Sequence, residues 1–260
     1  VAESIEMVAS TQHTGNSNRT GEEQFFFRIA CAMAVVLVAG FSVQLVAGRS
    51  TFEVPLVYHL HALVFFGWIV LFLLQTGLIA RGDVATHRRF GWLSAIWVPV
   101  MIALGATMTI TSLQRTGGPF FFASNDFLFG NIIGLVAFAA LITTALLMRK
   151  RTDWHRRLML CAMAAITGPG FGRLLPMPLL IPWAWEVSSL IGLVFVFAGM
   201  FRDSRTTGHI HPAWFVGLAV IVGWVVVGDL LAATDWGVEL TRDLVEGHPG
   251  AARPMEAYLP

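Results

Sequence analysis

Apolar residues run in stretches of about twenty, none with more than two charged residues, along most of this chain, separated by short polar junctions. The stretches fall near residues 25–47, 55–80, 91–113, 127–148, 157–175, 178–201 and 212–234. Each is long enough to cross a hydrocarbon core of about 30 Å at about 1.5 Å per residue. Lipid offers no partner for a free backbone N–H or C=O, so segments of this kind must be helical. The two-residue alternation of a membrane β-barrel is absent: Ile132–Leu147, for example, is apolar on every side. The pattern therefore predicts an all-α integral membrane bundle of seven transmembrane helices, one domain over residues 25–234. Residues 1–24 are polar, lack the basic-then-apolar order of a secretory signal, and read as a disordered tail. Residues 235–260 read as a short amphipathic tail, with 236–246 suited to lie on a membrane surface.

Composition agrees with this reading and adds an orientation. Only 13% of residues are charged, against roughly a quarter in soluble domains, and a net charge of +1 gives nucleic acid nothing to bind. Seven crossings leave Arg19, Arg28, Arg81, Arg88, Arg89, Arg149, Lys150, Arg151, Arg156, Arg157, Arg202 and Arg205 on one side, and only Arg49, Arg115, Arg173, Arg242 and Arg253 on the other. The positive-inside rule then places the amino terminus in the cytoplasm and the carboxyl terminus in the periplasm of a bacterial inner membrane. Cys31 and Cys161 both fall within helices and read as small core hydrophobes.

Two stretches echo one another. Residues 85–92 read A-T-H-R-R-F-G-W and residues 153–160 read D-W-H-R-R-L-M-L, each following one apolar helix and opening the next. The echo suggests two related hairpins, so that the second to fifth segments form a four-helix core. These residues also carry a resemblance. His59-Leu60-His61, Trp68, Gln75-Thr76, the turn from His87 to Trp92 and the run from Trp154 to Leu160 resemble a group of uncharacterised bacterial multi-pass membrane proteins, over about residues 55–175. More distantly, histidines that open helices of a four-helix core are similar to membrane b-type cytochromes and haem A synthases. That likeness implies histidines on neighbouring helices gripping a haem iron, and a place in membrane redox chemistry.

His87 and His155 open their helices on the same side, so they share one depth. Iron takes axial ligands from opposite faces, which makes the pair candidate ligands for haem b, with Arg88 and Arg156 as candidate partners of its propionates. The same His-Arg-Arg pattern also anchors helix ends to anionic lipid heads. His209 and His211 lie on that side too and extend the choice to a transition metal.

A second group maps to the outer half of the bundle. His61, Trp68 and Gln75 are spaced by seven and share a stripe of one helix. His59 points elsewhere in a regular helix but joins His61 as a candidate metal ligand. Asn131, Arg173, Glu186 and Asp229 fall at the depth of His61, as do Thr107 and Thr111, and Gly168–Gly172 interrupts the fifth segment beside them. Ionisable groups inside membrane segments usually face the bundle interior or a wet cavity. His61, Glu186 and Asp229 are therefore candidate catalytic groups, and Arg173, Asn131, Gln75 and Trp68 candidate contacts for a quinone, a lipid or a small amphiphile. A structural ion pair of Arg173 with Glu186 or Asp229 explains the same charges, as does a role as accessory subunit of a larger membrane complex. Nucleotide-binding and hydrolase fingerprints are absent, and residues 212–234 contain no lysine for a Schiff base.

Overall fold

A computed structural model describes the backbone of residues 2–259 and the side chains of residues 21–259. The disordered tail expected over 1–24 therefore falls, up to residue 20, outside the residues described with side chains. The elements in order are α1 (Ala2–Val46), α2 (Leu56–Ala80), α3 (Val84–Gly91), α4 (Leu93–Thr116), α5 (Ser124–Leu147), α6 (Thr152–Ala165), α7 (Gly168–Leu174), α8 (Ala184–Leu190), α9 (Leu193–Thr207), α10 (Pro212–Ala232) and α11 (Asp235–Val245). Single 3-10 turns stand at Met177–Leu180 and Pro249–Ala252, and no strand occurs among the described residues.

Six stretches are long and apolar enough to cross a membrane: Gly21–Val46, Leu56–Ala80, Leu93–Thr116, Ser124–Leu147, Ala184–Thr207 and Pro212–Ala232. Their outward faces carry large apolar side chains such as Val35, Leu63, Ile96, Leu147 and Leu230. Water would penalise such a surface, whereas lipid would not. The protein is thus an all-helical, multi-pass membrane protein.

The segment expected near 157–175 is divided between α6 and α7, with the break at Ile166 and Thr167. Pro169 has no N–H to give, and the Thr167 hydroxyl turns back to the Ala164 carbonyl at 2.7 Å. The glycines have a packing reason. A Cβ on Gly168 would lie 2.6 Å from the Ser188 carbonyl oxygen, and one on Gly40 would strike that of Gly170. The broken segment is therefore wedged between α1 and α8, backbone against backbone. Its ends reach opposite ends of the apolar stretch Gly21–Val46 of α1: Arg157 meets Glu22, and the Arg173 carbonyl accepts from Gln44 Nε2 at 2.9 Å.

Packing inside the bundle is close. Trp68, only 1% exposed, stands edge-on to Phe138 at 5.5 Å and joins α2 to α5. Helix α10 packs along α5, α6 and α9, so the interior is shared by more elements than the four expected. Helix α5 carries Gly130 and Gly134, where added Cβ atoms would strike the indoles of Trp185 and Trp224. Small residues let indoles and backbones meet closely, which substitutes for the hydrophobic drive that lipid cannot supply. The amphipathic segment expected at 236–246 is α11, capped by the Thr234 hydroxyl, which accepts from Gly237 N–H at 2.9 Å. Beyond it, Arg253 donates to the carbonyls of Gly117, Phe120 and Phe122 and straps the tail to the α4–α5 loop.

Candidate functional site

The two echo motifs occupy equivalent turns. Asp83 caps α3 by accepting from Thr86 N–H at 3.0 Å, and the helix so started carries His87 back beneath the end of α2. There His87 Nδ1 lies 3.3 Å from the Gln75 carbonyl oxygen. On the second hairpin, His155 Nδ1 lies 2.8 Å from the Ala145 carbonyl oxygen near the end of α5. A carbonyl oxygen only accepts, so both rings carry their proton on Nδ1 and leave Nε2 with a free lone pair. No hydrogen bond engages either Nε2 among the described residues. The two rings meet edge to face, with centroids 6.3 Å apart and an interplanar angle of 75°. Burial holds His87 below the usual imidazole range, helped by His155 and Arg88 nearby and opposed by the Gln75 carbonyl. The ring is therefore neutral at pH 7. Beside the pair, the Gln75 amide is buried with neither Nε2 nor Oε1 partnered, and Gly91 leaves the space next to Oε1 open.

The other residues expected at this end are differently placed. Arg88 is exposed, so it is free to meet an anion. Arg156 is not: its guanidinium holds Glu22 at 2.8 Å. His211 is also engaged, with Nδ1 accepting from Ala213 N–H at 3.1 Å and Nε2 facing Asp153 at 2.9 Å. His209 is exposed, its Nδ1 3.1 Å from the Thr207 carbonyl oxygen. The four histidines of this end thus do not gather round one point, and no group of three or more metal-ligating side chains occurs among the described residues.

Sequence reasoning missed the strongest polar network here. Arg157 is 4% exposed and forms a two-pronged bond with Asp203, Nε to Oδ2 and Nη2 to Oδ1, both at 2.8 Å. Trp214 Nε1 donates to Asp203 Oδ2 at 2.7 Å, and Glu22 accepts from Arg157 at 3.2 Å. The network ties α1, α6, α9 and α10 together. Its signal was an aspartate, Asp203, directly after an apolar run and level with the second arginine of a His-Arg-Arg motif.

The outer residues, expected around one cavity, fall into two groups. His61 lies in the field of Arg173, with its ring stacked on Phe65 at 4.1 Å and the Leu104 carbonyl facing it. Glu186 and Asp229 lie instead near each other and near Asp126, a third carboxylate on α5 that the sequence reading overlooked. No ion pair joins Arg173 to Glu186 or Asp229 among the described residues. Trp185 and Trp224 fill the space between α5, α8 and α10 where a shared cavity would lie, and Trp224 Nε1 donates to the Gly130 carbonyl at 2.6 Å. Asn131 turns back to the Phe127 carbonyl of its own helix at 2.6 Å, and His59 is exposed, away from His61. Trp68 and Gln75 sit deeper along α2, Gln75 beside the histidine pair. Two apolar grooves, of about 270 Å³ between α5 and α10 and about 220 Å³ between α1 and α2, open on the outer surface of the bundle and include none of these residues.

Comparison with known family models, curated proteins and solved structures finds no match to the chain. The class of protein, a helical multi-pass membrane protein, therefore rests on the fold alone.

Proposed function

We propose that the chain is a seven-crossing protein of a bacterial inner membrane that holds a transition-metal centre, haem b in the first instance, between His87 and His155, and that it acts in membrane redox chemistry. One observation carries the reading: two neutral imidazoles on equivalent turns stand edge to face with centroids 6.3 Å apart, each fixed through Nδ1 to a backbone carbonyl, each with Nε2 free. Ligating histidines characteristically tie their second nitrogen in this way, which sets tautomer and ring orientation. The centroids lie 6.3 Å apart, within reach of two metal–nitrogen bonds of about 2.0 Å were both Nε2 atoms turned to one ion. Two imidazoles without a third side-chain ligand suit a centre that brings its own equatorial donors, as haem does. Such a centre, when bound, supplies one-electron chemistry. The chain's own residues orient the two imidazoles, keep them neutral by burial, and offer the unpaired Gln75 amide and the exposed Arg88 to polar groups at its edge. Counting α6 with α7 as one crossing gives the seventh passage, which leaves the histidine pair on the arginine-rich, cytoplasmic side.

The test is an absorption spectrum of the full chain, expressed with ample haem and purified from membranes, together with metal analysis. A Soret band is expected, and it should vanish equally in His87→Ala and His155→Ala. A protein with neither a Soret band nor a stoichiometric metal would overturn the reading.

A further inference from the structure

We infer that the groove between α1 and α2 seats an anionic phospholipid, with one acyl chain lying along the helices and the phosphate on Arg81. The site does not depend on what His87 and His155 hold. One wall comes from a single row of α2. Leu73, Gly77 and Arg81 follow one another by four, with Leu74 and Leu78 beside them, so they share a face of the helix. From Leu73 to Arg81 that face runs about 12 Å, against about 15 Å for one leaflet of a hydrocarbon core of about 30 Å. Phe27 of α1 forms the opposite wall. Gly77 is the floor: a Cβ there would come to 3.3 Å from the Phe27 ring. The groove so formed holds about 220 Å³ and opens toward lipid past Leu74, which is 58% exposed.

The polar end of the groove is fixed before any lipid arrives. Gln24 Nε2 donates to the Ala80 carbonyl at 3.1 Å and ties the two walls together there. The Arg81 N–H bonds back to the Gly77 carbonyl at 3.2 Å, and the chain turns away at Gly82, whose φ of +82° suits glycine. The Arg81 side chain is left exposed, with no hydrogen bond, acid or aromatic ring engaging it among the described residues. Several other arginines of this end are engaged. Arg156, Arg157 and Arg202 meet Glu22, while Arg149 and Arg151 lie over the rings of Trp92 and Trp154. Asp83, two residues on, is turned to the Thr86 N–H at 3.0 Å, and no carboxylate lines the groove. A guanidinium presents paired donors that match phosphate oxygens. A groove that offers a cation and no acid favours a headgroup of net negative charge over one whose own cation needs a partner.

The probe is dioleoyl phosphatidylglycerol, titrated into the delipidated full chain in an uncharged maltoside detergent, with the first bound lipid followed by native mass spectrometry. Saturable binding is expected, and Arg81→Gln should weaken it about tenfold, the loss of one charge-assisted contact. Leu74→Trp sets an indole across the groove from an exposed position and should weaken it by a similar factor. Dioleoyl phosphatidylcholine should bind the unaltered chain about tenfold less tightly than the glycerol lipid and be indifferent to Arg81→Gln. Dioleoylglycerol, with the same chains and no phosphate, should not compete. Glycerol 3-phosphate should not displace the lipid at millimolar concentration, and displacement would make this a site for free phosphates instead. Equal affinity for the two phospholipids, or binding of phosphatidylglycerol unchanged in either Arg81→Gln or Leu74→Trp, would overturn the seat.

Discussion

Asp203 is 1% exposed and accepts from Arg157 and Trp214 at once, so removing it leaves a buried guanidinium with the longer contact to Glu22 in place of its two-pronged bond. Breaking one side of a buried pair costs about 3–5 kcal/mol, whereas replacing both sides with apolar groups of similar volume costs far less. Asp203→Ala is accordingly expected to lower the thermal midpoint of the purified protein sharply. The double change of Asp203→Leu with Arg157→Leu should recover part of the loss, and equal midpoints for the single and double variants would refute the coupling. This pair also marks what residue identity can and cannot tell. His87 and His155 were legible as a pair, because each follows an apolar run and so must sit at the same depth. Which arginine of a His-Arg-Arg motif turns inward was not legible, since it depends on the neighbours that the chain brings to it. Arg156 and Arg157 are about 100° apart on their helix, and only the positions of Glu22 and Asp203 decide their fates.

The eight-residue helix α3 has little burial of its own, and Asp83 is what starts it. Hydrogen bonds from Thr86, side chain first and backbone second, hold the Asp83 carboxyl below its ordinary value of 3.8. A carboxyl lowered in the folded state stabilises above its unfolded pKa and loses that contribution as pH falls through its folded one. Amide exchange over residues 84–91, corrected for intrinsic rates, is therefore expected to rise as pH drops below 3.8, and to be raised already at neutral pH in Asp83→Ala. Unchanged exchange in that variant would show that α3 is held by packing instead. The helices themselves were plain from sequence, since twenty apolar residues admit one solution in lipid. Their azimuths were not. Polar residues counted by depth looked like one outer cluster, but Gly130 and Gly134 let indoles into the gap and divide His61 and Arg173 from Asp126, Glu186 and Asp229. Asp126 was overlooked because it stands just before the apolar run that begins at 127, where the chain reads as a polar junction.

Orientation belongs to the assembled bundle, and on the proposed seven passages the twelve-to-five split of basic residues predicts a periplasmic carboxyl terminus. Alkaline phosphatase joined at the carboxyl terminus should be active, and a reporter that fluoresces only in the cytoplasm should stay dark there. The opposite result would reverse the sides of both proposed sites. The same fusions bear on the segment that breaks at Thr167. Neither the 14 residues of α6 nor the 7 of α7 would span a hydrocarbon core alone, and α6 opens with Asp153, His155, Arg156 and Arg157. A translocating channel that sorts nascent segments one at a time by apolar length would hesitate over such a stretch. Its lasting partners are α1 and α5, made before it, and α8 and α10, made after it. If α6 and α7 form the proposed seventh passage, biogenesis holds one segment in reserve until the last helix emerges, and a chain that ends before Pro212 should display residue 175 on the wrong side of the membrane.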